Sequence, residues 1–169
     1  MFNALHAAHF SSCGLNFKLF GSEFIKFGYS MRVGDNCWIE AVGKYMGKVY
    51  SPKINFGDNI SLSDNVHISS ALNIVIGDGV LIGSRVYIGD HSHGTTINVD
   101  LTIPPGERDL LDQDSIFIGK NCWICDGVVV LAGTNLYDGC IVAANSVVKI
   151  QVDRPCLLAG SPAKIIRNL

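Results

Sequence analysis

No run of about 18 apolar residues occurs anywhere in the chain, so the sequence offers no helix able to cross a bilayer. A basic patch is missing as well. Lys and Arg number 13 against 15 Asp and Glu, a formal net charge of -2, which argues against a general affinity for nucleic acid or anionic membrane. Charge of either sign is sparse, at 17% of residues, while apolar residues reach 48%; that balance excludes a disordered chain. Proline is scarce at 5 and glycine abundant at 18, so the glycines read as regular corners rather than loop filler. The start of the chain is fairly apolar, but it lacks a basic n-region and a small-residue cleavage site, and His6, His9 and Ser11 interrupt it. No signal peptide is expected there. The six cysteines (Cys13, Cys37, Cys122, Cys125, Cys140, Cys156) are even in number. A chain of this size builds its core without disulfides, so they are expected reduced and the protein cytoplasmic.

What the chain does contain is a six-residue rhythm. Phe56, Leu62 and Ile68 stand six apart, then Ile76, Ile82 and Ile88, then Ile118, Ile124, Val130, Leu136, Val142 and Val148. Glycine follows this marker at Gly34, Gly57, Gly77, Gly83, Gly89 and Gly119. A second apolar set lies two residues before it: Ile54, Ile60, Val66, Ile74, Val80, Val86, Ile116 and Val128. Gly-Asp-Asn-Cys-Trp-Ile from Gly34 recurs as Gly-Lys-Asn-Cys-Trp-Ile from Gly119. Helices need a period of 3.6 and ordinary strands a period of 2 over a short run. A sustained period of 6 fits a coil of three short strands, each followed by a corner, with marker and marker-minus-two side chains on the inner face. Stacked coils then bury one continuous aliphatic column, as solenoids do.

The rhythm breaks twice. Ile68 and Ile76 are separated by a two-residue insertion, and Ile88 and Ile118 by a long excursion, residues 91–115, with Pro104, Pro105 and the acidic cluster Asp100, Glu107, Asp109, Asp112 and Asp114 against Arg108. Long loops inside compact domains are usually functional. The expected organisation is therefore an irregular or partly helical segment over 1–30, a β-helix domain over 31–150 with the loop 91–115, and a C-terminal cap over 151–169 with a short helix at 163–168.

Two histidines open the loop, in Asp90-His91-Ser92-His93-Gly94. Imidazole titrates near neutrality and is the commonest general base; from the residues alone, a solvated surface loop or a metal pair remains an equal alternative. Cys122-Trp123-Ile124-Cys125 has the spacing of a redox or metal pair. Alternation nonetheless sends Cys122 inward and Cys125 to a corner, no second pair completes a zinc site, and Cys37 occupies the same repeat position as Cys122. Small apolar packing is the expectation for these thiols, and no metal is expected.

Together the hexads, the Asp-His-Ser-His-Gly segment, Pro-Pro-Gly-Glu-Arg-Asp-Leu in the loop, Asn-Cys-Trp-Ile, Ala-Asn-Ser-Val-Val and Ala-Gly-Ser-Pro-Ala-Lys resemble the hexapeptide-repeat acetyltransferases. The resemblance is nearest to the bacterial O-acetyltransferases of lipopolysaccharide and capsule sugars, with maltose and galactoside acetyltransferases more distant. It implies an all-β, left-handed parallel β-helix, an exception to right-handed crossovers. It also implies a homotrimer with sites between subunits, acetyl-CoA as donor, and a saccharide hydroxyl as acceptor. The base implied is His93, with His91 second, in direct transfer. Trp123 matches a tryptophan lining the groove, although Trp38 at the equivalent position keeps a packing role open. Asp64 and Ser63 fall where relatives carry an acceptor-binding Asn-Asp pair, and a solvated corner is the alternative for Asp64. Ala143, Ala144 and Ser146 match the wall of the CoA arm, with Ala159, Gly160, Lys164 and Arg167 near its nucleotide end. The sequence departs from the family at Cys125, Tyr137 and Ala143, which replace corner glycines, and at Leu131-Ala132-Gly133, which replaces a Leu-Pro-Gly turn.

Three other readings compete. A sugar N-acetyltransferase could use the same base and donor. A non-catalytic scaffold would bind no CoA. A γ-carbonic-anhydrase-type metalloenzyme would need three histidines across an interface. His67, His91 and His93 are the candidates for it, and their spacing does not resemble that family's.

Overall fold

The computed structural model describes residues 9–95, 97, 100–111 and 113–169. Strands visit three sheets in strict rotation. The first face is built from Phe10–Cys13, Met31–Val33, Ser61–Leu62, Leu81–Ile82, Trp123–Ile124, Ile141–Val142 and Cys156–Gly160. Lys18–Phe20, Trp38–Ala41, His67–Ser70, Tyr87–Gly89, Val129–Leu131 and Val147–Val148 form the second. Ile25–Lys26, Lys53–Phe56, Asn73–Ile76, Ile116–Ile118 and Asn135–Leu136 form the third. Every pairing between successive coils is parallel. The result is a left-handed parallel β-helix, a triangular prism around one core.

Register places like on like. Ile39, Ile68, Ile88, Val130 and Val148 stack along the second face, and Leu62, Ile82, Ile124 and Val142 along the first. All are buried, and each such side chain contributes about 1.5–3 kcal/mol through removal from water. The glycine after each marker has a specific cause. At Gly119 the Asp138 carboxylate of the next coil occupies the Cβ space, an added Cβ lying 2.5 Å from Oδ1. That same oxygen accepts the Lys120 N–H at 2.7 Å. Asp126 does likewise for Ser84 N–H at 2.6 Å, over Gly83. Corners thus exchange a side chain for a carboxylate-to-amide ladder that satisfies otherwise orphaned donors.

Two expectations need correction, and one element was not expected. Within the stretch 1–30, expected to be irregular or partly helical, the described residues from 9 onward form a first coil, because Phe10–Cys13, Lys18–Phe20 and Ile25–Lys26 each pair with the coil above. Its inward residues mix aromatic Phe10, Phe17 and Phe27 with aliphatic Leu19 and Ile25, which hid the period. Phe10 and Phe27 pack at 5.1 Å and Phe27 stacks on Phe56 at 5.5 Å, against the first layer of the core. The helix expected at the C-terminus is instead the strand Ala163–Asn168, antiparallel to Cys156–Gly160. Finally, a hairpin of Lys44–Tyr45 with Lys48–Val49 leaves the second coil. Its turn residues Met46 and Gly47 both have positive φ, 45° and 83°, as a tight two-residue hairpin requires.

Insertions gather at one edge of the prism. The hairpin, the pair Ala71–Leu72 and the long excursion after Gly89 all leave between the second and third faces. Stacking one insertion above another along this edge is what builds a site there.

Candidate functional site

Asp90 sits at the root of the long loop and is fully buried. Its carboxylate accepts from Ser70 Oγ at 2.6 Å and from the N–H groups of Ala71, Leu72 and Asn73 at 2.7, 3.0 and 2.7 Å. The two inserted residues in the coil below leave amides that the strand ladder does not pair, and Asp90 receives them. A further contact goes to His91 Nδ1 at 3.0 Å. Burial by itself pushes the Asp90 carboxyl upward, but the bonds from His91, Ser70, Ala71 and Leu72 outweigh it and hold it below the usual carboxylate range.

A carboxylate only accepts, so His91 Nδ1 carries the proton in the neutral ring and Nε2 is left as the basic nitrogen. Nε2 has no hydrogen-bond partner among the described residues, and the side chain is 8% exposed. A base whose far nitrogen is locked by a buried acid is the arrangement general-base catalysis needs.

His93 is placed differently. It lies exposed on the strand Ser92–His93, which pairs antiparallel with Leu110–Leu111 inside the loop. Its ring meets Tyr45 of the hairpin edge-on at 5.3 Å. The hairpin also holds the loop directly. Tyr45 Oη donates to the Gly106 carbonyl at 2.6 Å, Lys48 Nζ meets Asp109 at 3.2 Å, and Tyr50 Oη accepts from Leu110 N–H at 2.9 Å. Of the loop's acidic residues, Asp112 lies outside the described residues.

The remaining sequence candidates lie on other edges. Trp123 is 48% exposed on the first face, above Leu81 and below Ile141. Ala143, Ala144 and Ser146 form the corner after Ile141–Val142, and Ser146 Oγ accepts from Gly160 N–H at 3.1 Å. Lys164 and Arg167 stand on the closing strand, opposite Ala159 and Leu157. These residues form one wall near the C-terminal end, and Cys125 shares their edge while Tyr137 lies at the corner between third and first faces. Asp64 and Ser63 occupy the corner between first and second faces. There Asp64 Oδ1 accepts Asp35 N–H at 2.8 Å, a rung of the corner ladder, and the Ser63 carbonyl accepts from Cys37 Sγ at 3.0 Å. Within one chain, none of these groups meets His91.

The thiols follow their packing expectation. Cys37, Cys122 and Cys140 are buried in the core, and burial pushes the Cys122 thiol up to about 12, far from a nucleophilic thiolate at neutral pH.

Three further residues stand around His91, all pointing outward from the second face: Glu40 and Tyr87, which the sequence reading did not single out, and His67, which it considered only as a metal ligand. Burial raises the Glu40 carboxyl, an effect that the nearby His91 partly offsets. Burial, then His91, lowers His67; burial, then Asp90, raises Tyr87. Their sequence signal was a common position one residue before or after an inward marker.

A family model described as the hexapeptide repeat of succinyl-transferase matches residues 73–97 and 115–149. Over these residues the chain is similar to the hexapeptide-repeat family. Among hexapeptide-repeat proteins it is similar to a putative lipopolysaccharide biosynthesis O-acetyl transferase of Escherichia coli, 39% identical over 83 residues, covering 47% of this chain and 42% of that protein. It is also similar to a 2,3,4,5-tetrahydropyridine-2,6-dicarboxylate N-acetyltransferase of Clostridium perfringens, 36% identical over 66 residues, 39% of this chain and 25% of that one. The chain thus spans less than half the length of these relatives. A hexapeptide-repeat acetyltransferase from Vibrio cholerae, solved in complex with acetyl coenzyme A, matches 98% of this chain and 75% of its own at 25% identity and a TM-score of 0.61.

Proposed function

We propose that this protein transfers acetyl from acetyl-CoA to a hydroxyl of a saccharide, a surface polysaccharide or its precursor, with His91 as general base. The observation that carries the reading is the Asp90–His91 pair, 3.0 Å apart, at the root of a clasped loop, with Nε2 unpartnered among the described residues. Nε2 takes the proton of the acceptor hydroxyl as its oxygen attacks the thioester carbonyl. Collapse of the tetrahedral intermediate releases the CoA thiolate, which leaves with that proton as the thiol, and an ester remains. His93, first in order by sequence match, has no carboxylate partner among the described residues and is assigned the second place, on the loop side of the groove.

Trp123, Ala143, Ala144, Ser146, Ala159 and Gly160 are assigned to the donor wall, with the cationic Lys164 and Arg167 toward the donor's phosphates. The wall and His91 occupy different edges of one prism, so the reading requires a second copy to complete the site; a homotrimer supplies one at each of its grooves. Asp64 and Ser63 would face the acceptor from such a neighbour. The relatives' printed activities, acetyl transfer to oxygen in one case and nitrogen in another, support the donor more firmly than the acceptor. The cytoplasm, which supplies acetyl-CoA, is the compartment this reading implies.

The test is calorimetry with acetyl-CoA together with mass measurement by light scattering. Micromolar binding at one site per subunit of a trimer is expected. His91→Ala should bind the donor but lose about 10²–10⁴-fold in turnover, the usual worth of a positioned base. Full turnover in that variant would overturn the assignment. Treating the product with hydroxylamine separates the acceptors, since an ester is cleaved and an amide survives.

A further inference from the structure

We propose that a trough on the second face, running from Glu40 up to His91, binds the acceptor and takes the neighbouring hydroxyls of an uncharged sugar ring. This rests on the acetyl-transfer reading above and adds the binding groups and the charge of the substrate.

Register defines the trough. Glu40 pairs with Ser69, Ser69 pairs with Gly89, and Gly89 leads directly into Asp90 and His91. Adjacent strands are about 4.8 Å apart, so Glu40 lies about 10 Å below Gly89, close to the breadth of a hexose with its hydroxyls. Ser69 and Gly89 are small and leave the floor low. Trp38, His67 and Tyr87 form the wall beside it. Trp38 stacks on His67 at 4.4 Å, and Tyr87 meets His67 edge-on at 5.4 Å. Tyr87 leans across Gly89, its hydroxyl occupying the space a Cβ would fill.

The polar groups of this trough are unspent. Among the described residues, Glu40 makes no hydrogen bond or ion pair and the Tyr87 hydroxyl makes no hydrogen bond. Trp38 Nε1 and His67 Nε2 are buried without a partner. Buried polar groups left unpaired, here Trp38 Nε1 and His67 Nε2, are costly, and their place beside the half-exposed Glu40 and Tyr87 points to a ligand. The chemistry of that ligand follows from the inventory. Glu40 only accepts, Tyr87 both donates and accepts, and the ring nitrogen of His91 accepts. A pair of neighbouring hydroxyls satisfies Glu40 and Tyr87 while presenting a third hydroxyl to His91. A carboxylate on the sugar would instead face Glu40, a like charge in a site partly removed from water.

The experiment uses the intact protein, two glycoside–uronide pairs and two further neutral glycosides. Methyl glucoside and methyl galactoside are each compared with their uronides, and methyl mannoside and methyl rhamnoside extend the neutral set. Saturation-transfer NMR reads sugar binding directly, and acetyl transfer is followed with saturating acetyl-CoA. A neutral glycoside should exceed its uronide at least tenfold in kcat/KM. Tyr87→Phe and Glu40→Gln should each raise the acceptor KM at least fivefold with kcat changed less than threefold. Tm and acetyl-CoA affinity should stay unchanged, and Glu40→Gln should narrow the gap to the uronide. Unaltered acceptor KM in both variants, or equal use of the uronide, overturns the trough while leaving acetyl transfer standing. Failure to bind acetyl-CoA strikes the acetyl-transfer reading instead; sugar binding lost in the two variants would then still support the trough, and no sugar binding in the unmodified protein would remove it.

Discussion

The Tyr45 hydroxyl donates to the Gly106 carbonyl at 2.6 Å, across 61 positions of sequence. One insertion thereby holds another: the hairpin of the second coil clasps the long loop of the fourth. Removing the clasp with Tyr45→Phe plus Lys48→Ala should change global stability by only about 1–2 kcal/mol, since one bond is neutral and the other half-exposed. The loop itself should open more often. Trypsin cleavage after Arg108 is expected to quicken several-fold, and an unchanged rate would mean that the Leu110–Tyr50 bond suffices.

Asp90 serves the fold and the base together. Asp90→Asn would turn an amide N–H toward donors and should destabilise the chain by about 3 kcal/mol, within the range for breaking a buried charged network. Because the native carboxyl is held below its usual range, its stabilising effect is complete above the ordinary Asp value. That effect is lost as the pH falls below about 4 toward the native one. Urea unfolding at pH 7, 5 and 3 should show this acid loss in the parent and a flatter response in the variant.

His67 has the same sign for a different reason. Burial, then the field of His91, depresses its imidazole below the ordinary value, so the unfolded chain takes up that proton first. Its contribution is full above about pH 7 and declines as the pH falls from about 6.5 through the folded value. His67→Phe, which keeps a ring in the Trp38 stack, should reduce the slope of stability between pH 7 and 5. An identical slope would place the titration elsewhere.

Two glycines give a paired comparison. At Gly119 an added Cβ would lie 2.5 Å from Asp138 Oδ1 and 2.6 Å from its nitrogen, whereas at Gly106 nothing lies within 4 Å. Gly119→Ala should cost about 2 kcal/mol or more through overpacking and a broken corner rung. Gly106→Ala should stay within about 0.5 kcal/mol. Chemical denaturation of the two variants measures both.

The hexads of Phe56 through Val148 were legible because stacked coils repeat one local environment, and each burial is a local requirement on one residue in six. The first coil was not, because its inward residues mix the aromatic Phe10, Phe17 and Phe27 with the aliphatic Leu19 and Ile25, and that mixture does not repeat the aliphatic pattern. The closing strand Ala163–Asn168 was mistaken for a helix because its pairing partner, Cys156–Gly160, is what makes it extended. Met46-Gly47 carries a weak turn signal, so the hairpin was missed as well. Asp90 was read merely as the residue before a histidine; nothing in one dimension shows that four donors from residues 70–73 converge on it.

Period, corner glycines and the loop after Ile88 were thus determined by the chain alone, since inward alternation and corner geometry act within each hexad. Tertiary stacking decided what the loop histidines can do. Only when coils lie about 4.8 Å apart does the insertion after Ser70 meet Asp90, and only then does one carboxylate lock His91 while Tyr45 holds His93. Glu40, Ser69 and Gly89 become neighbours in the same way, for register between coils is a property of the stack and is written in no single turn.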